Sequence, residues 1–395
     1  TSFSPALALK GSFASSSKGR VFRYLLVGLQ FLISISLIIC ATFVGLQRKF
    51  MLSHDMGFDR EELLTANLNR TVAKSSEALS SKLLEDPQIK DISWADGDLV
   101  RPSRMGWGRM YKGEQISFQC YPVAWNFLQF IGIPVVEGRD FTQADEQSEN
   151  GVFIFNETAK NKFGFTLEER MPGHMDEGDA EVVGFCRDFN FASLKNEVSP
   201  LALYIFGKHP WRPLTTLLVR TEKNADIPAI MKKIAAAVSE IDPTVNPDDV
   251  DVQLFDKKLQ GQYETEANFS RLITLFTLLA IIISLMGVFG LVMFETEYRR
   301  KEIGVRRVNG ATIGEILKMF NIEFARIVLI CFVIATPLSW WIVNRYLSGF
   351  AYRVPVYFWV FALALVAVLL ITALVVTARC YGAATENPSV TLKKE

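Results

Sequence analysis

Histidine and cysteine are scarce in this 395-residue chain, and neither has the spacing of a metal site. The sequence contains three histidines and five cysteines. His54, His174 and His209 stand far apart, which excludes the short spacing typical of metal-ligand sets. Cys120 and Cys186 are the only cysteines in the polar middle of the chain. They either form a disulfide in an oxidising compartment or remain two unpaired thiols.

Net charge and catalytic signatures are also missing. The 42 basic residues balance the 42 acidic ones. This leaves no overall field to attract nucleic acid, and we predict no nucleic-acid partner. The absence of G-x-x-x-x-G-K-[ST] excludes ATP binding by a P-loop, and G-x-S-x-G, H-E-x-x-H and C-x-x-C are absent as well. We therefore predict that the chain is not an enzyme, has no catalytic or metal-binding residues and needs no cofactor.

Two acidic features of the sequence are candidates for chemistry. The loop Gly173–Glu181 is acidic and can attract a cation, but its spacing is not that of an EF-hand, and a solvated turn is the commoner interpretation. Asp140 and Asp188 lie near aromatic residues. A paired-carboxylate hydrolase is conceivable there, although turn and capping roles are much more common for aspartate.

Long apolar stretches are what the chain has in quantity. Half of its residues are hydrophobic, and the mean hydropathy is +0.20. A membrane-spanning helix needs about 20 mainly apolar residues, and four stretches meet that requirement. The predicted order is an N-terminal segment (1–23), span one (24–46), a large segment (47–271), span two (272–294), a loop (295–324), span three (325–343), a short loop (344–355), span four (356–378) and a tail (379–395).

The distribution of basic residues predicts the orientation of these spans. Cytoplasmic flanks of membrane helices are enriched in lysine and arginine. Such residues concentrate before span one, between spans two and three, and after span four, whereas the loop between spans three and four carries only two; the flanking residues are Lys10, Lys18, Arg20, Arg23, Arg299, Arg300, Lys301, Arg306, Arg307, Lys318, Arg379, Lys393 and Lys394. We therefore predict that both termini are cytoplasmic and that the large segment is outside the cytoplasm.

The large segment has the pattern of an α+β domain. Strands are predicted over Leu63–Asn69, Ile89–Ala95, Leu214–Thr221 and Asp249–Phe255, with helices over Ser75–Asp86 and Ile227–Asp242. Two βαβ units flanking a long insertion predict a split ferredoxin-like lobe. The insertion, about 96–212, predicts a second lobe in which Asn156 begins a short helix. Helical patterns also continue past span one and before span two, with Gly261 as the weak point, which predicts helical stalks; flexible linkers are the alternative.

A dense basic segment follows span two directly: YRRKEIGVRRVNGAT, Tyr298–Thr312. Glu302 precedes Arg306 by four residues, the favourable direction for a helical ion pair, and apolar side chains alternate with the charges. Gly310 is predicted to end the helix. A short helix with both apolar and charged contacts suits docking into a partner's groove. An interfacial helix on anionic lipid is the alternative.

At this point the residues resemble a known family. FETEYRRKEIGVRRVNGATIGEILKMFNIEF closely resembles the signature of FtsX-like permease domains, the membrane subunits of the MacB, LolC/LolE and FtsX group of ABC transporters. FIGIPVVEGRDFT, FIFNETAKNKFG and VVGFCRDFNFASLKNEVSP are similar to the MacB-like periplasmic domain, and ENPSVTLKKE to the family's closing segment. Because the chain begins with Thr1 and has one set of four spans, we expect the second half of a duplicated permease, or otherwise one subunit of a dimer.

The resemblance implies a fold and a mechanism. The fold is four membrane helices with a large extracytoplasmic domain between the first two, in a bacterial inner membrane. The implied ATPase-coupling residues are Arg299, Arg300, Lys301, Glu302, Ile303, Gly304, Arg306, Arg307, Gly310 and Ala311. They would seat on a separate MacB/LolD-type ATPase, whose ATP cycle would move the periplasmic domain by mechanotransmission.

The resemblance also implies partners and substrates. The expected partners are that ATPase, a second permease half or an identical copy, membrane lipid, and a periplasmic adaptor with an outer-membrane channel. Peptides, antibiotics or lipoproteins are the substrates of the family, for export or extraction. The alternative function is that of FtsX itself, a transmembrane regulator of a cell-envelope hydrolase.

Overall fold

A computed structural model describes residues 17–99, 101–102, 106–167, 169–172 and 179–385. The helices are α1 (Ser17–Ser53), α2 (Arg70–Ala73), α3 (Ser76–Leu84), α4 (Phe127–Ile131), α5 (Glu157–Phe163), α6 (Ile227–Ile241), α7 (Phe255–Gln262), α8 (Glu264–Tyr298), α9 (Arg300–Val308), α10 (Ile313–Leu347) and α11 (Phe358–Thr385). The strands are β1 (Leu63–Asn67), β2 (Ile89–Ala95), β3 (Gly97–Asp98), β4 (Arg101–Pro102), β5 (Gly106–Tyr111), β6 (Glu114–Pro122), β7 (Val135–Gly138), β8 (Val152–Asn156), β9 (Arg170–Pro172), β10 (Asp179–Cys186), β11 (Leu201–Ile205), β12 (Thr216–Thr221) and β13 (Val252–Leu254).

The chain folds into two compact units. Of the described residues, the membrane unit comprises those up to Phe50, Thr265–Gly349 and those from Arg353 onwards, and the α+β unit comprises those from Met51 to Glu264 together with Phe350–Tyr352. Within the part of the chain that the structure describes, four helices are long and apolar enough to cross a membrane: Gly19–Ser53, Glu264–Tyr298, Ile313–Leu347 and Phe358–Gly382. The predicted fold class, four spanning helices plus a large α+β domain, is confirmed.

The membrane helices bury one face each, in steps of three or four residues. On α1 the buried stripe is Val27, Phe31, Ile35, Ile39 and Phe43, and on α10 it includes Ile316, Phe320, Phe324, Val328 and Ala335. A spacing of about one helical turn places these side chains on one face. The opposite faces carry exposed apolar residues, as expected where helices meet lipid rather than water.

Polar contacts also join α1 to α8. The hydroxyl of Ser34 donates to the carbonyl of Ala280 at 3.0 Å, and the hydroxyl of Thr277 donates to that of Leu37 at 3.3 Å. A Cβ atom at Gly287 would clash with Oε1 of Gln30, so a larger residue there would displace the glutamine side chain. Hydrogen bonds from serine and threonine hydroxyls, together with small residues at the interface, commonly allow membrane helices to pack closely.

The first lobe of the α+β unit is a four-stranded antiparallel sheet in the order β13-β1-β12-β2. This is the ferredoxin-like order, with the second lobe inserted between β2 and β12. Helices α3 and α6 cover the sheet with Leu79, Leu83, Ile230 and Ile234. β1 ends at Asn67, two residues before the predicted end, because the Asn69 side chain instead caps α2 by accepting from Val72 N.

The inserted lobe is a seven-stranded mixed sheet. Its strands run in the order β5-β6-β11-β8-β10-β7, and β9 pairs with β10. Two pairings are parallel, β6 with β11 and β8 with β10. Aromatic side chains dominate its core: Phe153 stacks on Tyr204 with centroids 4.4 Å apart, and Trp107 packs edge-on against Phe153. Such pairs add to the area that these rings bury.

Cys120 and Cys186 are free, buried thiols in this lobe. In register, Cys120 pairs with Ala202, Ala202 with Phe155, and Phe155 with Phe185, the neighbour of Cys186. Three strand-to-strand steps of about 4.8 Å place the two cysteines roughly 14 Å apart. A disulfide requires Cα atoms within about 7 Å. Of the two interpretations of this pair, the geometry therefore supports unpaired thiols.

The helical pattern before span two is interrupted once. The break lies at Tyr263, between α7 and α8, and not at Gly261 as the sequence suggested. Tyr263 has a non-helical backbone conformation and a buried ring, and its hydroxyl accepts a hydrogen bond from the N–H of Leu194 at 3.2 Å. The contacts of the buried Tyr263 side chain therefore determine where the helix is interrupted, although glycine has the lower helix propensity.

Candidate functional site

The basic segment after α8 forms a helix bounded by two turns. Arg299 leaves the helical conformation after α8, and α9 follows at once. Gly310 ends α9 with a φ of 92°. The N–H of Gly310 donates to the carbonyl of Arg307 and the N–H of Ala311 to that of Arg306, which is a Schellman motif. Thr312 then caps α10 in a capping box with Glu315.

The helix α9 has one buried and one exposed side. Ile303 is 5% exposed and packs in the core of the membrane unit, and Gly304 is buried beside it. Val305 and Val308 are 50% and 65% exposed. They lie on neighbouring turns of α9, so they form an apolar pair on the open side of the helix.

The predicted coupling residues divide between these two sides. Lys301, Glu302, Arg306 and Gly310 are exposed, Arg299, Arg300, Arg307 and Ala311 are partly buried, and Ile303 and Gly304 are buried. The predicted ion pair is present, with Nη2 of Arg306 2.7 Å from Oε1 of Glu302. Arg300 pairs with Glu297 at 3.3 Å. Arg307 donates from Nη1 to the carbonyl of Ala311 at 3.3 Å and so supports the turn after α9.

Behind α9 lies a cluster of charges centred on Glu295, which is 0% exposed. Arg20 of α1 donates to it from Nε at 2.9 Å and from Nη2 at 3.1 Å, and Arg299 donates from Nε at 3.1 Å. Glu323 of α10 accepts from Nη2 of Arg299 at 2.8 Å and from the hydroxyl of Tyr24 at 2.9 Å. We call Arg20, Tyr24, Glu295, Arg299 and Glu323 the α9 anchor cluster. It joins three helices at the start of α9.

Sequence reasoning missed this cluster. The sequence pattern assigns Arg20 and Arg299 only topological or coupling roles, and it predicts no role for Glu295 or Glu323. A signal was present, because Glu295 stands at the end of an apolar span, four residues before Arg299. Acidic residues at membrane helices are costly unless they are paired, and they usually face the bundle interior.

The candidate aspartates of the α+β unit, Asp140 and Asp188, accept hydrogen bonds from backbone N–H groups. The carboxylate of Asp188 accepts from the N–H and the hydroxyl of Thr158 at the start of α5, at 3.0 and 2.7 Å. Asp140 accepts from Phe141 N at 2.7 Å. These are turn and capping roles. Among the described residues no group of three or more His, Cys, Asp or Glu side chains could hold a metal ion. His174 and most of the loop Gly173–Glu181 lie outside the described residues.

Comparison with known proteins shows which families and proteins this chain is similar to. The family model described as FtsX-like permease C-terminal matches residues 274–388, which include α9 and the two helices after it. The macrolide export ATP-binding/permease protein MacB of Sodalis glossinidius is 24% identical over 235 residues, which are 56% of this chain and 34% of that protein. Residues 274–388 therefore carry an FtsX-like permease C-terminal region, in a chain that is similar to MacB proteins over about half of its length.

A second curated relative has a similar identity and a similar coverage. MacB of Escherichia coli is 26% identical over 217 residues, 53% of this chain and 32% of that protein. The chain thus spans about a third of the length of the curated relatives that it matches. Among solved structures, the periplasmic region of MacB from Actinobacillus actinomycetemcomitans covers 53% of the chain at 12% identity with a TM-score of 0.39. The extracellular domain of the transporter YknZ from Gram-positive bacteria covers 49% at 15% identity with a TM-score of 0.36.

Proposed function

We propose that this chain is a permease subunit of an ABC transporter, and that it couples ATP hydrolysis by a separate ATPase subunit to movement of its α+β domain, for export or extraction of a substrate. In this proposal α9 is the coupling helix. Its two turns and its buried Ile303 hold it on the membrane unit, and its open side binds a groove of the ATPase. The ATP cycle of the partner then displaces α9, and with it the ends of the membrane helices.

The observation that carries the proposal is the exposed side of α9. Val305 and Val308 are open next to Lys301 and Arg306 in a helix of nine residues. Apolar residues bordered by charges fit a polar-rimmed protein groove, in which the apolar pair is buried and the charges fix the orientation. Sequence relatives named as ATP-binding/permease proteins are consistent with such a partner.

We further propose that the permease lies in a bacterial inner membrane with α9 in the cytoplasm and the α+β domain on the periplasmic side. The support is the concentration of lysine and arginine at one end of the four helices. A second permease half or an identical copy would complete the membrane part. A periplasmic adaptor and an outer-membrane channel would receive the substrate. The named activity of the MacB relatives makes macrolides a first compound class to assay.

Replacing the exposed valines tests the coupling assignment. The double variant V305S/V308S alters only open side chains, so we expect normal folding but loss of ATPase co-purification and of coupled ATP turnover. The matched control is V136S, an exposed valine on β7 of the α+β unit. The double charge variant R306E/R307E and the backbone variant G304P should also uncouple turnover. If V305S/V308S binds and cycles its ATPase normally, the coupling assignment is wrong.

A further inference from the structure

The α9 anchor cluster places a carboxylate where the helix itself disfavours one. Glu295 lies in the last turn of α8, which ends at Tyr298. The C-terminal end of a helix carries partial negative charge, so an acidic residue there is repelled. A fully buried carboxylate also loses its hydration and must be paired. Glu295 therefore depends on the guanidinium groups of Arg20 and Arg299.

Two aromatic rings contact Arg20 in addition to the carboxylate of Glu295. Its guanidinium group lies 5.6 Å from the ring centroid of Tyr24 and 5.4 Å from that of Tyr298. The two-pronged contact with Glu295 fixes the plane of the group, which a lysine ammonium cannot reproduce. The N-terminal part of α1 is thereby fastened to the C-terminal turn of α8, beside the first residue of α9.

Arg299 continues the connection. It is the residue between α8 and α9, and it contacts Glu295 with Nε and Glu323 of α10 with Nη2. A displacement of α9 must therefore either move α1, α8 and α10 together or break charge-assisted hydrogen bonds to a buried group. Bonds of this kind are among the strongest that side chains make.

We propose that Arg20 and Glu295 are positioning residues that transmit the movement of α9 to α1. Without them α9 would remain attached to α8 and α10 by the chain, but α1 would lose its charged contact with the residues at the start of α9, and only its packing and the hydrogen bonds that its uncharged groups make with α8 and α10 would remain. This inference rests on the proposed coupling function and adds a specific route to it. α1 is the helix concerned because it continues to Ser53, so that its last three residues, from Met51 onwards, belong to the α+β unit.

The test uses variants that separate folding from transmission. E295Q leaves two arginines facing one carboxylate, so we expect it to lower the apparent Tm of the full chain in detergent. R20Q/E295Q restores the charge balance, and we expect its apparent Tm to exceed that of E295Q. R20K keeps the positive charge but removes the paired hydrogen bonds that the Arg20 guanidinium group donates to Glu295. The matched control is R326Q, because Arg326 on α10 is exposed and has no ion pair among the described residues.

Movement is measured on the complete complex with its ATPase. Nitroxide labels at K49C and N268C report the separation of α1 and α8, since both positions are exposed beyond the predicted spans. We expect wild type and R326Q to show an ATP-dependent change in label separation. R20Q/E295Q should bind the ATPase normally and show a change at least fivefold smaller, with R20K in between.

The outcomes distinguish the two proposals. A full ATP-dependent change in R20Q/E295Q overturns the role of the α9 anchor cluster and leaves the coupling role of α9 intact. Normal ATPase binding and turnover in V305S/V308S overturns the coupling role instead. A loss of ATPase binding in R20Q/E295Q, with its apparent Tm restored, also overturns the inference, because the pair would then shape the docking surface and not the transmission.

Discussion

The amide oxygen of Asn156 accepts a hydrogen bond from the backbone N–H of Leu201 at 2.9 Å, across 45 residues of chain. The same oxygen caps α5 by accepting from Ala159 N at 3.0 Å, and the amide nitrogen donates to the carbonyl of Ser199 at 3.1 Å. One buried side chain thus fastens the end of β8, the start of α5 and the entry to β11.

Replacing Asn156 with alanine should destabilise the inserted lobe. The variant N156A loses a helix cap and leaves buried backbone groups unpaired, a combined cost of about 2–4 kcal/mol. Urea unfolding of the chain in detergent, followed by tryptophan fluorescence, should show a lower midpoint. N246A is the control, because the exposed Asn246 caps only a short 3-10 turn. Equal midpoints for the two variants would contradict this account.

Asn156 shows how far the sequence alone reaches in the α+β unit. Its capping role follows from local pattern, since an asparagine directly before Glu157 is typical of a helix start. Its bond to Leu201 does not follow, because that contact exists only once β8 and β11 pair. The ferredoxin-like strand order can be predicted from the sequence because the elements of each βαβ unit follow one another closely along the chain. The strand order of the inserted lobe cannot, because it depends on pairing between strands that are far apart in sequence.

The candidate site divides in the same way. The helix α9, the pair Glu302–Arg306 and the stop at Gly310 are local features, and the sequence predicts them through residue spacing. The α9 anchor cluster depends on a contact between Arg20 and Glu295 across 275 residues and one between Tyr24 and Glu323 across 299. From residue type alone, these arginines indicate only the orientation of the membrane helices. Their ion-pair partners cannot be predicted, because the contacts exist only once the helices pack together.

Gly310 offers a prediction about the turn after α9. Its φ of 92° strains any residue with a Cβ atom, at a cost of about 1–2 kcal/mol. G310A should therefore disturb the Schellman motif and weaken binding of the ATPase by up to about tenfold. G314A is the matched control, since a Cβ there meets only the Thr312 hydroxyl at 4.0 Å. Titration of the ATPase against both variants checks this, and indistinguishable affinities would contradict it.

The thiols of Cys120 and Cys186 should resist alkylation in the folded chain. Burial raises the pKa of both thiols, so the reactive thiolate is scarce at pH 8. We expect iodoacetamide to label neither residue before unfolding and both residues after it, without a reductant, by peptide mass spectrometry. S81C supplies an exposed cysteine as the positive control. Labelling that requires reduction would reveal a disulfide and contradict the sheet register.

Arg220 should be irreplaceable by lysine. It is buried on β12 and donates to three backbone carbonyls, those of Asp59, Glu61 and Phe130, at 2.6–3.0 Å. A lysine carries one ammonium and cannot reach all three, so R220K should lose about 1–3 kcal/mol of stability. The control is R170K, at an exposed position of β9. The urea midpoints of the two variants should differ, and a wild-type midpoint for R220K would contradict the role of the fork.

Asp145 gives the α+β unit an acid-sensitive contact. Burial opposes its charged form, but two bonds from Arg139 at 2.7 Å and further bonds from Thr142 outweigh it and hold the pKa of Asp145 below its ordinary value. A carboxyl with a lowered folded pKa contributes its full stabilisation above the unfolded pKa of about 3.9. That contribution is lost as the pH falls through the folded value.

The variant D145N should therefore be less stable than wild type at pH 7, and the difference should shrink as the pH falls below about 4. Thermal unfolding of both chains between pH 7 and pH 3 measures this convergence. D248N, at an exposed aspartate in a short turn, should parallel wild type over the whole range. A D145N deficit that stays constant with pH would show that the amide disturbs packing and that the charge of Asp145 contributes nothing.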